Sequence, residues 1–126
     1  MAYQVSKQRF GELVEQALGK LPEQFQSFLE EVAIEVTDLP TTSQRRAAGT
    51  DAKPLLLGLY TGRPRTERSI EESAYLPDRI FIFQQNIEQV CNSEQQLIEQ
   101  VRITVLHEIG HHFGLSEEDL DELNYG

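Results

Sequence analysis

The chain has 126 residues, 39% hydrophobic and 25% charged, enough for one packed core and too few for two. Its formal net charge of -10 repels phosphate backbones and anionic lipid, which argues against nucleic acid and membrane surfaces as partners. One cysteine, Cys91, makes no internal disulfide and reads as a small half-buried apolar residue.

The opening MAYQVSKQRF lacks the apolar segment of a secretory signal, and no run approaches the roughly 20 apolar residues of a membrane helix. The expectation is a single cytoplasmic domain over residues 1–126. Ser6 can cap a first helix, in which Phe10, Leu13, Val14, Ala17, Leu18 and Leu21 recur at helical spacing. Gly19 and Pro22 bracket its end. A second helix is predicted from Pro22, with Phe25, Phe28 and Leu29 on its apolar face. Val32 to Val36 alternates, is rich in β-branched residues, and reads as a strand ended by Asp38-Leu39-Pro40.

Residues 41–53, TTSQRRAAGTDAK, are small and polar, and read as a surface loop. Leu55 to Tyr60 reads as a second strand, TGRPRTERS as a loop, and Arg79 to Phe83 as a third strand introduced by Leu76-Pro77-Asp78. Ser93 and Gln96 form a capping-box pattern that opens a long helix. Leu97, Ile98, Val101, Val105 and Ile109 supply its apolar stripe, and Gly114 ends it. Ser116 and Asp119 repeat the capping pattern, so a short last helix should run towards Leu123. The acids from Glu117 to Glu122 read mainly as a solvated helix face.

All three histidines fall between Leu106 and Glu117, in LHEIGHHFGLSE. His107 and His111 are four apart on the predicted helix, so both rings project from one face and can take adjacent corners of a zinc tetrahedron. Glu108 lies beside them, placed to accept a proton from a water activated by the metal. H-E-x-x-H arises by chance in about one in a few hundred chains of this length at average composition. Here its helical context is also present. His112 points about 100° away and reads as a packing or hydrogen-bonding residue.

A catalytic zinc needs a third protein ligand and an open position. With no histidine left, the candidates are a carboxylate or Cys91. Gly114 can turn the chain back beneath the metal, which brings forward Glu117, three residues on. Glu118, Asp119 and Asp121 are the other acids within reach.

Taken together, these stretches resemble a family of small bacterial zincin-like metallopeptidases of the zincin group. The resemblance rests on L-L-G-L-Y at Leu56 to Tyr60, T-E-R at Thr66 to Arg68, and L-P-D-R-I at Leu76 to Ile80. It rests also on V-R-I-T-V-L-H-E-I-G-H-H-F-G at Val101 to Gly114. The local H-E-x-x-H-x-x-G-x-x-E is similar to the metzincin signature. It departs from that signature in ending on glutamate, and because the chain's only methionine is Met1 there is no methionine-bearing turn under the metal.

What the resemblance implies is an α+β, minimal zincin fold, with a small mixed sheet packed on the H-E-x-x-H helix. It also implies zinc-dependent hydrolysis of a peptide or protein substrate. Zn2+ would sit on His107, His111 and Glu117, with Glu108 as general base. In zincins a strand edge binds the extended peptide. Arg79–Phe83, nearest the helix in sequence, is the first choice and Leu55–Tyr60 the second. Tyr60, Tyr75, Tyr125, Arg65 and Arg68 are candidates for stabilising an oxyanion. The alternative is a non-catalytic or latent zinc-binding or regulatory interaction module. The glutamate inside the motif argues for the enzyme.

Overall fold

A computed structural model of the chain describes residues 3–49, 55–62, 78–112, 114–116, 118, 119 and 122. Helix α1 spans Lys7–Leu18, and the Ser6 hydroxyl accepts the Arg9 N–H at its start. Its buried face is Phe10, Leu13, Val14 and Ala17; of the other two residues in the expected stripe, Leu18 is half-buried and Leu21 is buried just beyond the helix end. Helix α2, Glu23–Leu29, begins just after Pro22 and buries Phe25.

Strand β1 is Val32–Thr37. The segment expected to be a loop then forms a helix, α3, over Thr42–Ala48. The reason is local: Thr41 and Gln44 exchange hydrogen bonds in a capping box, and good helix formers follow. None of its residues is buried, so capping and propensity, rather than core packing, account for it.

Strand β2 is Gly58–Thr61 and β3 is Asp78–Phe83. The sheet order is β1-β3-β2, with β1 parallel and β2 antiparallel to β3. The chain therefore has the expected small mixed sheet and an α+β architecture. Ile80 and Ile82 of β3 face the main core, and Phe81 and Phe83 stack on the opposite face with rings 6.4 Å apart.

A one-and-a-half-turn helix, α4, covers Gln84–Gln89, a stretch for which the sequence raised no expectation. Buried Glu88 accepts hydrogen bonds there from the Val5 N–H and the Gln84 amide, tying the N-terminal segment to α4.

Helix α5, Glu94–His112, runs through the centre of the fold. Ser93 caps it by accepting the Gln96 N–H, but the Gln96 side chain reaches one residue further back, to the Asn92 N–H. One stripe of α5, Leu97, Ile98, Val101, Val105, Leu106 and Ile109, is buried against α1 and the sheet. At its other end Gly114 takes a left-handed φ of 76°. The Leu115 N–H reaches the Gly110 carbonyl and the Gly114 N–H reaches that of His111, the two bonds of a Schellman turn. The second capping box also forms, with Ser116 and Asp119 each accepting the other's backbone N–H. Among the described residues no helix is long and apolar enough to cross a membrane.

Candidate functional site

The site grows from the second stripe of α5. Thr104, His107, Glu108 and His111 are spaced by three and four, so they share one side of the helix. The His107 and His111 rings lie side by side, with centroids 6.2 Å apart and planes 20° from parallel. His107 is half-buried and His111 exposed, so the pair opens outward from the rim of the core. Two nitrogens on one zinc stand about 3.4 Å apart, and neighbouring, near-parallel imidazoles one helical turn apart can supply them. Paired imidazoles are donors that zinc accepts, and Glu108 stands on the same side of the helix.

Strand β2 passes directly over this stripe. The Leu57 carbonyl accepts the Phe83 N–H, so alternate residues of this edge bond to β3 and the Tyr60 N–H points away from the ladder. It donates to Glu108 Oε1 at 2.8 Å. Gly58 permits the crossing, because a Cβ there would stand 2.6 Å from Thr104 Cγ2 and 3.1 Å from the Phe81 carbonyl oxygen. Burial pushes the Glu108 carboxyl above the usual carboxylate range, against the Tyr60 N–H and the two histidines, which pull it down. A desolvated carboxyl of this kind is suited to exchanging a proton nearer neutrality.

The structure sorts the remaining candidates. Cys91 is 2% exposed, in the core, and precedes α5. It is separated from His107 by about 20 Å of helix, at 1.5 Å per residue. Burial also pushes its thiol up, away from the thiolate that binds metal. Cys91 is therefore not a ligand. Among the described residues no third histidine, cysteine or acid joins the His107–His111 pair. Glu118 and Asp119 belong to that described set, and Asp119 is engaged with Ser116. Glu117 and Asp121 lie outside the described residues, as do Tyr75, Tyr125, Arg65, Arg68 and most of the TGRPRTERS loop.

The first-choice peptide-binding strand is corrected. Arg79–Phe83 lies in β3, paired on both sides, so it has no edge to offer. Its near-continuous apolar run is what a central strand looks like. The second choice, Leu55–Tyr60, contains the edge strand, although only Gly58–Thr61 enters the ladder.

Two groups were not read from the sequence as part of the site. One is the Tyr60 backbone N–H on Glu108, and the other is Asp78, whose Oδ2 accepts the Tyr60 hydroxyl at 2.5 Å. A glycine inside an apolar strand signals close approach of another element, and Gly58 was the available clue to the first. His112 is the packing residue expected of it: its ring stacks on Tyr60 with centroids 4.3 Å apart.

Residues 29–126 match the family described as zincin-like metallopeptidase. The chain belongs to that family. Its match takes in β1, the β2 edge and the whole of α5. A solved structure described as a conserved hypothetical protein from Thermo thermophilus is similar to this chain with a TM-score of 0.56. The identity is 23%, and the alignment covers 86% of this chain and 94% of the other. That likeness speaks for the fold alone. No curated protein matches the chain in sequence.

Proposed function

We propose that this zincin-like protein is a zinc peptidase that hydrolyses peptide bonds with water, using Glu108 as general base and His107, His111 and Glu117 to hold the metal. The observation that supports it best is the side-by-side pair of imidazoles with a desolvated carboxyl on the same side of the helix, anchored by the Tyr60 amide. When bound there, zinc supplies Lewis-acid activation of water and of the scissile carbonyl. Glu108 takes a proton from the attacking water and passes it to the departing amine. The Tyr60 N–H holds Oε1, which leaves Oε2 to carry that proton.

An extended peptide is the natural substrate for the edge of β2, beside the same helix, with backbone bonds giving affinity and side-chain pockets giving preference. Glu117 is assigned as third ligand because the Gly114 turn reverses the chain and Glu117 directly follows the Ser116 cap in sequence.

A second reading, a latent zinc-binding or interaction module, draws on the Glu108–Tyr60 contact, which occupies the carboxylate that would act as base. One experiment separates the two. The purified chain is loaded with zinc and tested on a denatured, fluorophore-labelled protein. Glu108→Gln should keep its zinc and lose about 10²–10⁴-fold in rate. Hydrolysis by the variant at the parental rate would overturn the assignment of the base. A zinc-loaded parent that cleaves nothing would leave the module.

A further inference from the structure

We propose that His112 is a positioning residue: its ring, stacked on Tyr60, pins the edge of β2 across the end of α5 and so keeps the Tyr60 amide on Glu108.

His112 is the last residue of α5 and lies about 100° around the helix from His111, off the face that carries the imidazole pair. Its ring lies on that of Tyr60, with centroids 4.3 Å apart and planes within 19°. Phe28 of α2 completes a three-ring cluster, 6.3 Å from Tyr60 and 5.9 Å from His112. On the far side, the Tyr60 hydroxyl donates to Asp78 at the start of β3. Gly62 leaves that corner open, since a Cβ there would meet Tyr60 Cε1 at 2.7 Å and Asp78 Oδ1 at 3.2 Å. Tyr60 is thus held at three separate points: its amide by Glu108, its hydroxyl by Asp78, and its ring by His112.

The hold matters because β2 is only four residues long and pairs on one side with β3. Along its other side the Tyr60 N–H donates to Glu108, on a helix 48 residues away in sequence. Four residues in one ladder leave such a strand few hydrogen bonds of its own to stop it shifting along the helix. The His112–Tyr60 stack resists that slide from the helix that also carries Glu108, so helix and strand move together. Nothing in this role requires the imidazole to carry a proton; a flat ring is sufficient.

The catalytic consequence rests on the peptidase reading, whereas the physical claim can be read without any metal. In the 15N-labelled, metal-free chain, His112→Ala should accelerate hydrogen exchange of the Tyr60 amide. His112→Phe should keep it slow, and the Ile82 amide in the sheet centre should be unchanged in both, showing that the fold is intact. In the zinc-loaded protein, His112→Ala should lower kcat by between about tenfold and a hundredfold, the cost of a misplaced group. KM and zinc affinity should stay at parental values, and His112→Phe should restore kcat. Parental exchange at Tyr60 in His112→Ala overturns the proposal, and so does a phenylalanine variant as impaired as the alanine one. A parent without turnover sinks the peptidase reading but leaves the exchange result to decide the role of His112.

Discussion

Gly58→Ala tests whether the approach of β2 to α5 is what builds the site. The new Cβ would stand 2.6 Å from Thr104 Cγ2, where ordinary contact begins at 3.4 Å, so the strand and helix must part by about 0.8 Å. Thr104 cannot easily yield. It is 7% exposed, and its hydroxyl accepts from the Gln100 side chain. The other near atom, the Phe81 carbonyl oxygen at 3.1 Å, is backbone. A parting of that size turns the 2.8 Å Tyr60–Glu108 bond into a separation near 3.6 Å, which is no longer a hydrogen bond.

Overpacking of this kind costs about 1–3 kcal/mol. For a chain between the small and mid-sized classes, that corresponds to a Tm lower by roughly 3–12 °C. Thermal melts of the metal-free variant measure it. Thr104→Ser keeps the hydroxyl and removes the clashing methyl, so Gly58→Ala with Thr104→Ser should recover at least about 1 kcal/mol in a double-mutant cycle. Additive effects of the two substitutions, or a Gly58→Ala protein that melts with the parent, would refute the reasoning.

Three further outcomes follow from other contacts. Burial raises the folded-state carboxyl of Glu108 above its unfolded value, so the native state holds the extra proton and loses stability as pH rises through the raised value. Metal-free Glu108→Gln, uncharged throughout, should be more stable than the parent at pH 7. That advantage should vanish as pH falls below the ordinary glutamate range, which urea titrations at stepped pH would show. Glu88→Ala strands the Val5 N–H, leaves the Gln84 amide only the Val5 carbonyl as a named acceptor, and should cost about 1–3 kcal/mol by chemical denaturation. Under the proposed ligand set, Glu117→Ala should weaken zinc binding by more than about tenfold, the lower range even for an outer-shell partner. Asp121→Ala should leave it unchanged, with competition against a chromogenic chelator as the readout.

The helices and strands were largely legible because their signals are local. Ser6 with the Phe10, Leu13, Val14 and Ala17 stripe, β-branched Val32–Val36, and Ser93 with the Leu97–Ile109 stripe each carry cap and period in one window. The H-E-x-x-H spacing is local too, and the His107–His111 face followed directly from it. What was misread is of two kinds. In residues 41–48 composition outweighed a capping box: Thr41 and Gln44 stand three apart, and the same pattern that correctly marks Ser116 and Asp119 marks a helix there as well. The order of the sheet is not a local property at all. Arg79–Phe83 adjoins the H-E-x-x-H helix in sequence only through the intervening α4, while Gly58–Thr61 reaches it in space. The Tyr60 amide on Glu108 spans 48 positions, and no periodicity encodes such a contact.

The two stripes of α5 bear opposite costs, and their interleaving explains how a chain this small can carry a desolvated acid. Val101, Val105 and Ile109 are fully buried, each within a turn of Thr104, Glu108 or His111. Each buried aliphatic side chain contributes about 1.5–3 kcal/mol, so one helical turn of core offsets the few kcal/mol that burying a carboxyl with a single backbone partner can cost. The stripes share one rigid backbone, so side-chain packing on the core face fixes where the histidines and Glu108 point on the other. After Gln95, Gln96 and Glu99 in its first turns, the helix is next exposed at His111 and His112. At that point β2 and the His112–Tyr60 stack take over from core packing in holding the site. The residues that hold the site should therefore divide by position. Substitutions at Val101, Val105 and Ile109 should act mainly through stability, and those at Tyr60, Asp78 and His112 mainly through the geometry of Glu108.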